Sequence, residues 1–233
     1  MCNLAFYSDQ IVPPNAAVDR RLLAMMTVRG VGSHIGYIPS GPDPGRRFFR
    51  ERRAYYARYG LDLDLCFDLD EPPDAAAIDK LFSCDAIHLS GGHTAGFLKR
   101  LGASGMHARL AAWARRGGIL IGTSAGAILM TPTIASDALF SGAAPEEVEG
   151  GAALDLVPFE FFPHLGGKPA YLPELLRYSR LTSRPIVACR DGDGLVVTEG
   201  RVECIGDPVW IMDGAARAPG DIQLAGLAIT RIV

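Results

Sequence analysis

Gly122-Thr123-Ser124-Ala125-Gly126 has the form G-x-S-x-G, between an apolar run, Ile119-Leu120-Ile121, and an apolar helical pattern, Ala127-Ile128-Leu129-Met130. A serine flanked in this way occupies a sharp strand-to-helix turn that lifts its hydroxyl above the end of the strand. Its neighbours are small because the turn is strained and other backbone passes close. Ser124 is therefore a candidate nucleophile, and the positive end of the following helix favours an attacking alkoxide and its tetrahedral product. The plainer alternative is a serine capping a helix on a tight glycine turn.

A second glycine element, Ala86-Ile87-His88-Leu89-Ser90-Gly91-Gly92-His93-Thr94, again reads as a strand passing through a turn into a helix. In a parallel sheet its end lies on the same edge as Ser124, where open α/β folds place their ligands. The N–H groups of Gly91 or Gly92, together with that of Ala125, are candidates for an oxyanion hole. A serine also needs a base. His34 begins a predicted strand, His88 lies within one and His107 rides an amphipathic helix, so all three read as structural. His164, in Phe161-Phe162-Pro163-His164-Leu165-Gly166-Gly167, follows the C-terminal end of a strand and ranks first as general base. His93, just after the Gly-Gly turn, ranks second and is also a candidate substrate contact, with Gly92. For the acid that orients the imidazole, Asp137 leads, while Glu146, Glu147, Glu149 and Asp155 also fall between Ser124 and His164.

The elements that position these residues follow from periodicity. Strands are expected at Asn3–Tyr7, His34–Pro39, Leu61–Phe67, Ala86–Leu89, Gly118–Gly122, Val157–Phe161 and Pro185–Cys189. Gly194–Val197 and Val202–Ile205 form a hairpin around Glu199-Gly200, and Val209–Met212 adds a further strand. Helices are expected at Ala16–Arg29, Gly45–Tyr59, Pro73–Phe82, Thr94–Leu101, Gly105–Arg116 and Lys168–Leu181. The alternation predicts an α/β fold: three layers, with a mostly parallel, doubly wound sheet, helices on both faces and a C-terminal β-hairpin. With no internal repeat, low-complexity segment or linker, residues 1–233 are expected to form one domain.

Composition removes several rival classes. A formal charge of −3 gives no general electrostatic reason to bind nucleic acid or an anionic membrane. The arginines and aromatics of Gly45–Tyr56 form separate stripes at helical spacing, which predicts an amphipathic helix burying Phe48, Tyr55 and Tyr59 rather than a nucleic-acid surface. Gly30-Val31-Gly32-Ser33-His34-Ile35-Gly36 echoes a dinucleotide fingerprint, but it follows a helix and precedes a strand, the reverse of the required order. The five cysteines include no C-x-x-C pair, so neither a disulfide framework nor a zinc cage is indicated, and a reducing, cytoplasmic compartment is expected. The N-terminal residues lack a basic, apolar leader, and Gly117–Met130 is too short and too interrupted to span a membrane.

At Ile87-His88-Leu89-Ser90-Gly91-Gly92-His93-Thr94, Gly122-Thr123-Ser124-Ala125-Gly126-Ala127 and Phe162-Pro163-His164 the chain resembles the S51 serine peptidases, the family of dipeptidase E and cyanophycinase. Asp191-Gly192-Asp193-Gly194-Leu195-Val196-Val197 is similar to that family's closing hairpin. The resemblance implies a class I glutamine-amidotransferase-like fold, Ser124 as nucleophile, His164 as base 40 residues downstream, and Gly91 as an oxyanion donor. It strengthens Asp137, which follows Pro132-Thr133-Ile134 much as the acid of dipeptidase E follows P-T-I. It implies a small-peptide substrate with aspartate at the cleaved bond, for which Lys168, Arg177 and Arg180 are the candidate cations. No cofactor, metal, nucleic acid or membrane partner is implied, and a homodimer is compatible with it. A cyanophycinase-like β-aspartyl peptidase and a catalytically silent amidotransferase-like binding domain are the alternatives. Three positions depart from the family pattern: His93 and Phe162 stand where asparagine is usual, and Leu165 where an aromatic is usual. These departures are expected to alter the rim of the pocket.

Overall fold

The computed structural model describes residues 2–70, 74–166 and 170–232. Five short apolar strands build its centre: β1 (Asn3–Tyr7), β2 (His34–Ile38), β3 (Asp62–Cys66), β4 (Ala86–Leu89) and β5 (Ile119–Thr123). They are connected through helices α1 (Ala16–Val28), α2 (Arg47–Ala57), α3 (Ala75–Phe82), α4 (Thr94–Ala103) and α5 (Met106–Arg115). After β5 come a short helix α6 (Ala125–Ile128), strand β6 (Glu160–Phe162), helix α7 (Leu172–Tyr178) and strand β7 (Ile186–Ala188). The chain ends in β8 (Gly194–Thr198), β9 (Arg201–Ile205), β10 (Val209–Met212), β11 (Ala215–Arg217) and β12 (Ala228–Ile232).

The main sheet has the order β12-β9-β8-β1-β5-β4-β2-β3. Its β1, β5, β4, β2 and β3 are mutually parallel, and β8 joins β1 antiparallel. Parallel strands are covered on both faces, so their residues are apolar almost without alternation while successive side chains enter opposite cores. Along β1, Leu4 and Phe6 pack with α4, α5 and α6, whereas Ala5 and Tyr7 pack with α1 and α2. Burying each such leucine or phenylalanine contributes roughly 1.5–3 kcal/mol. Helices therefore lie on both faces, as the strand–helix alternation requires.

The expected β8–β9 hairpin forms with Thr198 opposite Arg201 and with Glu199 and Gly200 at φ 50° and 74°. Both turn residues are left-handed, the geometry that matches the twist of the flanking strands. Two features differ from expectation. Strands β6 and β7 leave the main sheet and join β10 and β11 in a second sheet, ordered β11-β10-β7-β6. One face of this sheet, with Phe161, Val187 and Trp210, continues the main core, and the other carries Leu175 and Tyr178 of α7. In addition, β11 and β12 were not anticipated: Ala215-Ala216-Arg217 has weak strand preference, and β12 is an edge strand held by parallel pairing to β9. Among the described residues no helix is long and apolar enough to cross a membrane.

Candidate active site

Ser124 stands where β5 ends and α6 begins, with φ 49° and ψ −111°, outside the regions ordinary residues populate. The turn demands small neighbours. A Cβ at Gly126 would overlap the Leu89 carbonyl oxygen of β4, and one at Gly122 would come within 2.6 Å of the Ala127 backbone nitrogen. Since α6 has only four residues, its dipole is short, and any stabilisation of an oxyanion must come chiefly from individual N–H groups. Gly91 lies beside the serine, so close that a Cβ on it would sit 3.5 Å from Ser124 Cβ. The Gly91 and Ala125 N–H groups have no backbone acceptor among the described residues.

The hydroxyl of Ser124 is 3.0 Å from His164 Nε2, and His164 Nδ1 is 2.6 Å from Asp191 Oδ1. The carboxylate partner of Nδ1 is therefore Asp191 and not Asp137, which corrects the expectation drawn from the P-T-I resemblance. The physical reason is the second sheet. Cys189 N–H donates to Phe162 O, and Leu165 N–H donates to Cys189 O, both at 2.9 Å, so the loops after β6 and β7 run side by side. His164, at φ 58°, and Asp191 are brought together by that pairing. Ser8, just past β1, links both loops: its hydroxyl accepts from His164 N–H at 2.8 Å and lies within donating distance of Asp191 Oδ1 at 3.0 Å and Cys189 O at 3.2 Å. Asp193 braces the turn, accepting from Arg190 N–H at 3.1 Å.

Asp137 lies on the 3₁₀ turn Ala135–Ser141 and accepts a 2.5 Å bond from Thr94 Oγ1. Burial pushes its carboxyl above the usual carboxylate range. Among the other acids weighed for the orienting role, Glu146 pairs with Arg177 at 2.5 Å. None of Glu146, Glu147, Glu149 and Asp155 bonds to His164.

Two cavities meet at the Ser124–His164 pair. One, of about 480 Å³, is walled by Tyr37, Ser40, Phe48, Arg52 and Gly91. The other, of about 580 Å³, is walled by His93, Thr94, Ile134, Asp137 and Phe140. Gly92 borders both. Its φ of 139° and the Ser40 hydroxyl, which a Cβ there would overlap, require glycine.

Beneath the first cavity lies a closed ring of hydrogen bonds. Gln10 Nε2 donates to Tyr56 Oη at 3.0 Å, and Thr123 Oγ1 donates to Gln10 Oε1 at 2.8 Å. His88 completes the ring, with Nδ1 3.3 Å from Tyr56 Oη and Nε2 3.1 Å from Thr123 Oγ1. If Nε2 holds the ring proton, every group both gives and receives, which suits a neutral imidazole, and burial holds His88 well below the usual histidine range. The ring pins Thr123, the residue before the nucleophile.

The sequence pattern of peptidase family S51 matches residues 13–205. The chain belongs to that family. As an S51 member it is a serine peptidase, a hydrolase of peptide bonds. Its fold is also that of two solved structures. A candidate peptidase E protein from Listeria monocytogenes EGD-e aligns with a TM-score of 0.63 at 21% identity, over 87% of this chain and 96% of its own. A peptidase from an acI-B1 actinobacterium aligns with a TM-score of 0.64 at 16% identity, over 93% of each chain. A search of curated proteins returned no match.

The remaining expected site residues of this S51 chain divide clearly. His93 lines the second cavity and caps α4, its Nδ1 accepting from Gly96 N–H at 3.0 Å. Arg177 is held by Glu146 and Glu174 and lines neither cavity at Ser124, because α7 covers the outer face of the second sheet. Arg180 packs against Gly214, again away from both cavities. Lys168 lies outside the described residues. Of the three departures from the family pattern, His93 alone touches a cavity wall directly. Phe162 is buried and stacks on Phe140, centroids 4.9 Å apart, and Leu165 is buried in the core under α7. Phe48, expected in the core, is 57% exposed and lines the first cavity instead.

Two site residues had no usable sequence signal as such. Arg52 is a cation in the wall of the first cavity. It donates to Gln10 O at 3.3 Å, lies over the Tyr55 ring and forms no ion pair among the described residues. Asp191 was visible only as part of the closing-hairpin motif. Its place directly after the strand that pairs with β6 is the feature that marks it. Among the described residues no cluster of three His, Cys, Asp or Glu side chains forms a metal site.

Proposed function

We propose that this S51 peptidase hydrolyses small peptides through an acyl-enzyme, with Ser124 as nucleophile, His164 as general base and acid, and Asp191 as the orienting carboxylate. The observation that carries this reading is the unbroken line of contacts from Ser124 Oγ through His164 Nε2 and Nδ1 to Asp191 Oδ1. His164 takes the hydroxyl proton as Ser124 Oγ attacks the scissile carbonyl carbon. Charge gathers on the carbonyl oxygen, to which the N–H groups of Gly91 and Ala125, free of backbone acceptors among the described residues, donate. The imidazolium then protonates the leaving amine. Water then attacks the ester carbon as His164 takes its proton. The imidazolium passes that proton to Ser124 Oγ as the acid leaves, which restores neutral His164 and free Ser124. Asp191 holds the Nδ1–H tautomer throughout.

The preference for an aspartyl residue at the cleaved bond, which the resemblance implies, finds its support in Arg52, which lines a cavity at Ser124 together with Asp9 and Glu51 and forms no ion pair among the described residues. A fluorophosphonate should label the wild-type protein at Ser124, and Ser124→Ala should abolish both labelling and dipeptide hydrolysis while the circular dichroism spectrum is retained. Asp-X should be cleaved faster than Ala-X. An unlabelled wild type favours the silent binding domain, and equal rates on the two dipeptides remove the aspartyl preference.

A further inference from the structure

We propose that Asp137 anchors a positively charged nitrogen of the substrate in the second cavity, making it a specificity-determining residue rather than the orienting acid. The proposal rests on Ser124 being the nucleophile, since that cavity ends at Ser124 and His164. Thr94 Oγ1 occupies one carboxylate oxygen, and the other has no hydrogen-bond partner among the described residues. Its lining includes the apolar Ile134, Ala138, Phe140 and Val148, with the His93 imidazole in the same wall, and among the described residues no lysine or arginine contributes. Burial raises the proton affinity of this carboxylate, and the Thr94 hydrogen bond and the His93 imidazole offset only part of that. A cation arriving with the substrate relieves that cost and gains a charge-assisted hydrogen bond.

The carboxylate is also held in place. Its 3₁₀ turn is tied to β6 by Ser136 Oγ donating to Phe161 O at 3.0 Å and by Thr133 Oγ1 donating to Glu160 Oε1 at 3.0 Å. Three residues beyond Phe161 on the same segment stands His164, so the anchor and the base are fixed relative to each other through one strand. A cavity of about 580 Å³ is large enough for one amino-acid residue in an ordered pose. The cation it takes has two sources: the ammonium at the N-terminus of a short peptide, or the charged end of a lysine or arginine side chain flanking the scissile bond.

Steady-state kinetics on wild type, Asp137→Asn and Asp137→Glu separate these cases. Asparagine keeps the acceptor for Thr94 and removes only the charge. For a substrate whose charge reaches the anchor, KM should rise roughly 10- to 100-fold in Asp137→Asn, with a smaller change in kcat, and Asp137→Glu should recover part of it. If the ammonium is the ligand, the preference for free over N-acetylated peptides collapses in Asp137→Asn. If a side chain is the ligand, the preference for arginine over citrulline collapses instead. Either result supports the proposal. It is overturned if neither preference changes while the variant unfolds at the wild-type temperature, or if kcat alone falls. Competition by arginine amide against fluorophosphonate labelling of the wild type gives a reading that needs no variant: protection is expected, and its absence together with that of an unblocked dipeptide contradicts the anchor. Failure of the wild type to be labelled at all would instead remove the nucleophile on which the proposal stands.

Discussion

At the scale of single residues, the chemistry of this molecule depends on two positions with positive φ, Ser124 at 49° and His164 at 58°. Neither residue type enters that region cheaply, so the surroundings must enforce both conformations. For Ser124 the enforcing pattern, small residues on either side, is written locally and could be read from the chain. His164 was legible for a similar reason, as a histidine in a proline- and glycine-bracketed loop after a strand. Asp191 was not, because its role depends on which sheet its neighbours join, a long-range fact. In Asp191→Asn, an amide at His164 Nδ1 favours the wrong tautomer, and kcat should fall by about 10²–10⁴, less than for a fully buried acid because the Asp191 side chain is 46% exposed. Peptide hydrolysis measured beside Asp137→Asn decides the point: a larger kcat loss in the Asp137 variant would return the orienting role to that residue.

Among the elements, the main-sheet strands were legible because β1, β4 and β5 are short apolar runs with sharp polar borders. Strand β6 was expected at Val157–Phe161 and is found at Glu160–Phe162, since it begins with a charge. Glu160 is fully buried, accepts from Thr133 Oγ1, and has Arg184 Nη1 at 3.6 Å. Burial pushes its carboxyl from the ordinary 4.5 up to about 7. The folded protein therefore keeps this proton over a range in which the unfolded chain has released it. Stability must then fall as pH rises from about 4.5 to about 7, and the deficit persists above that. Glu160→Gln carries no such linkage. Its stability relative to wild type should increase by of order 2 kcal/mol between pH 5 and pH 8 in urea titrations. Parallel pH profiles for the two proteins would show that Glu160 stays ionised within the fold.

For the molecule as a whole, the question is whether the two sheets form one cooperative unit. Trp210 of the second sheet is 1% exposed and directs Nε1 at Cys204 Sγ of β9, 3.4 Å away in the main sheet. It also meets Phe159 edge-on, and Phe159 in turn packs on Phe6 of β1. A continuous apolar contact of this kind couples the sheets. The two tryptophans allow a direct check, since Trp113 is on α5 and Trp210 on β10. In the single-tryptophan variants Trp113→Phe and Trp210→Phe, fluorescence and circular dichroism should give coincident urea transitions. Separate midpoints for fluorescence and circular dichroism within one variant would mean that the second sheet melts by itself. What could not be read in advance was that there are two sheets, because a parallel β6–β7 pair looks the same in sequence whichever sheet it joins.

Ser8 reaches across 156 and 183 residues of sequence to touch His164 and Asp191, and β1 is flanked by β5 on one side and by β8 on the other. Strand β1 therefore emerges from the ribosome well before β8, the second of its two neighbours. While translation is under way the nucleophile, and later the imidazole, have emerged without the carboxylate or the neighbouring strand that holds them in register. Hydrolytic competence should arise only when the region around residue 197 has cleared the exit tunnel, so the nascent polypeptide is inert until then.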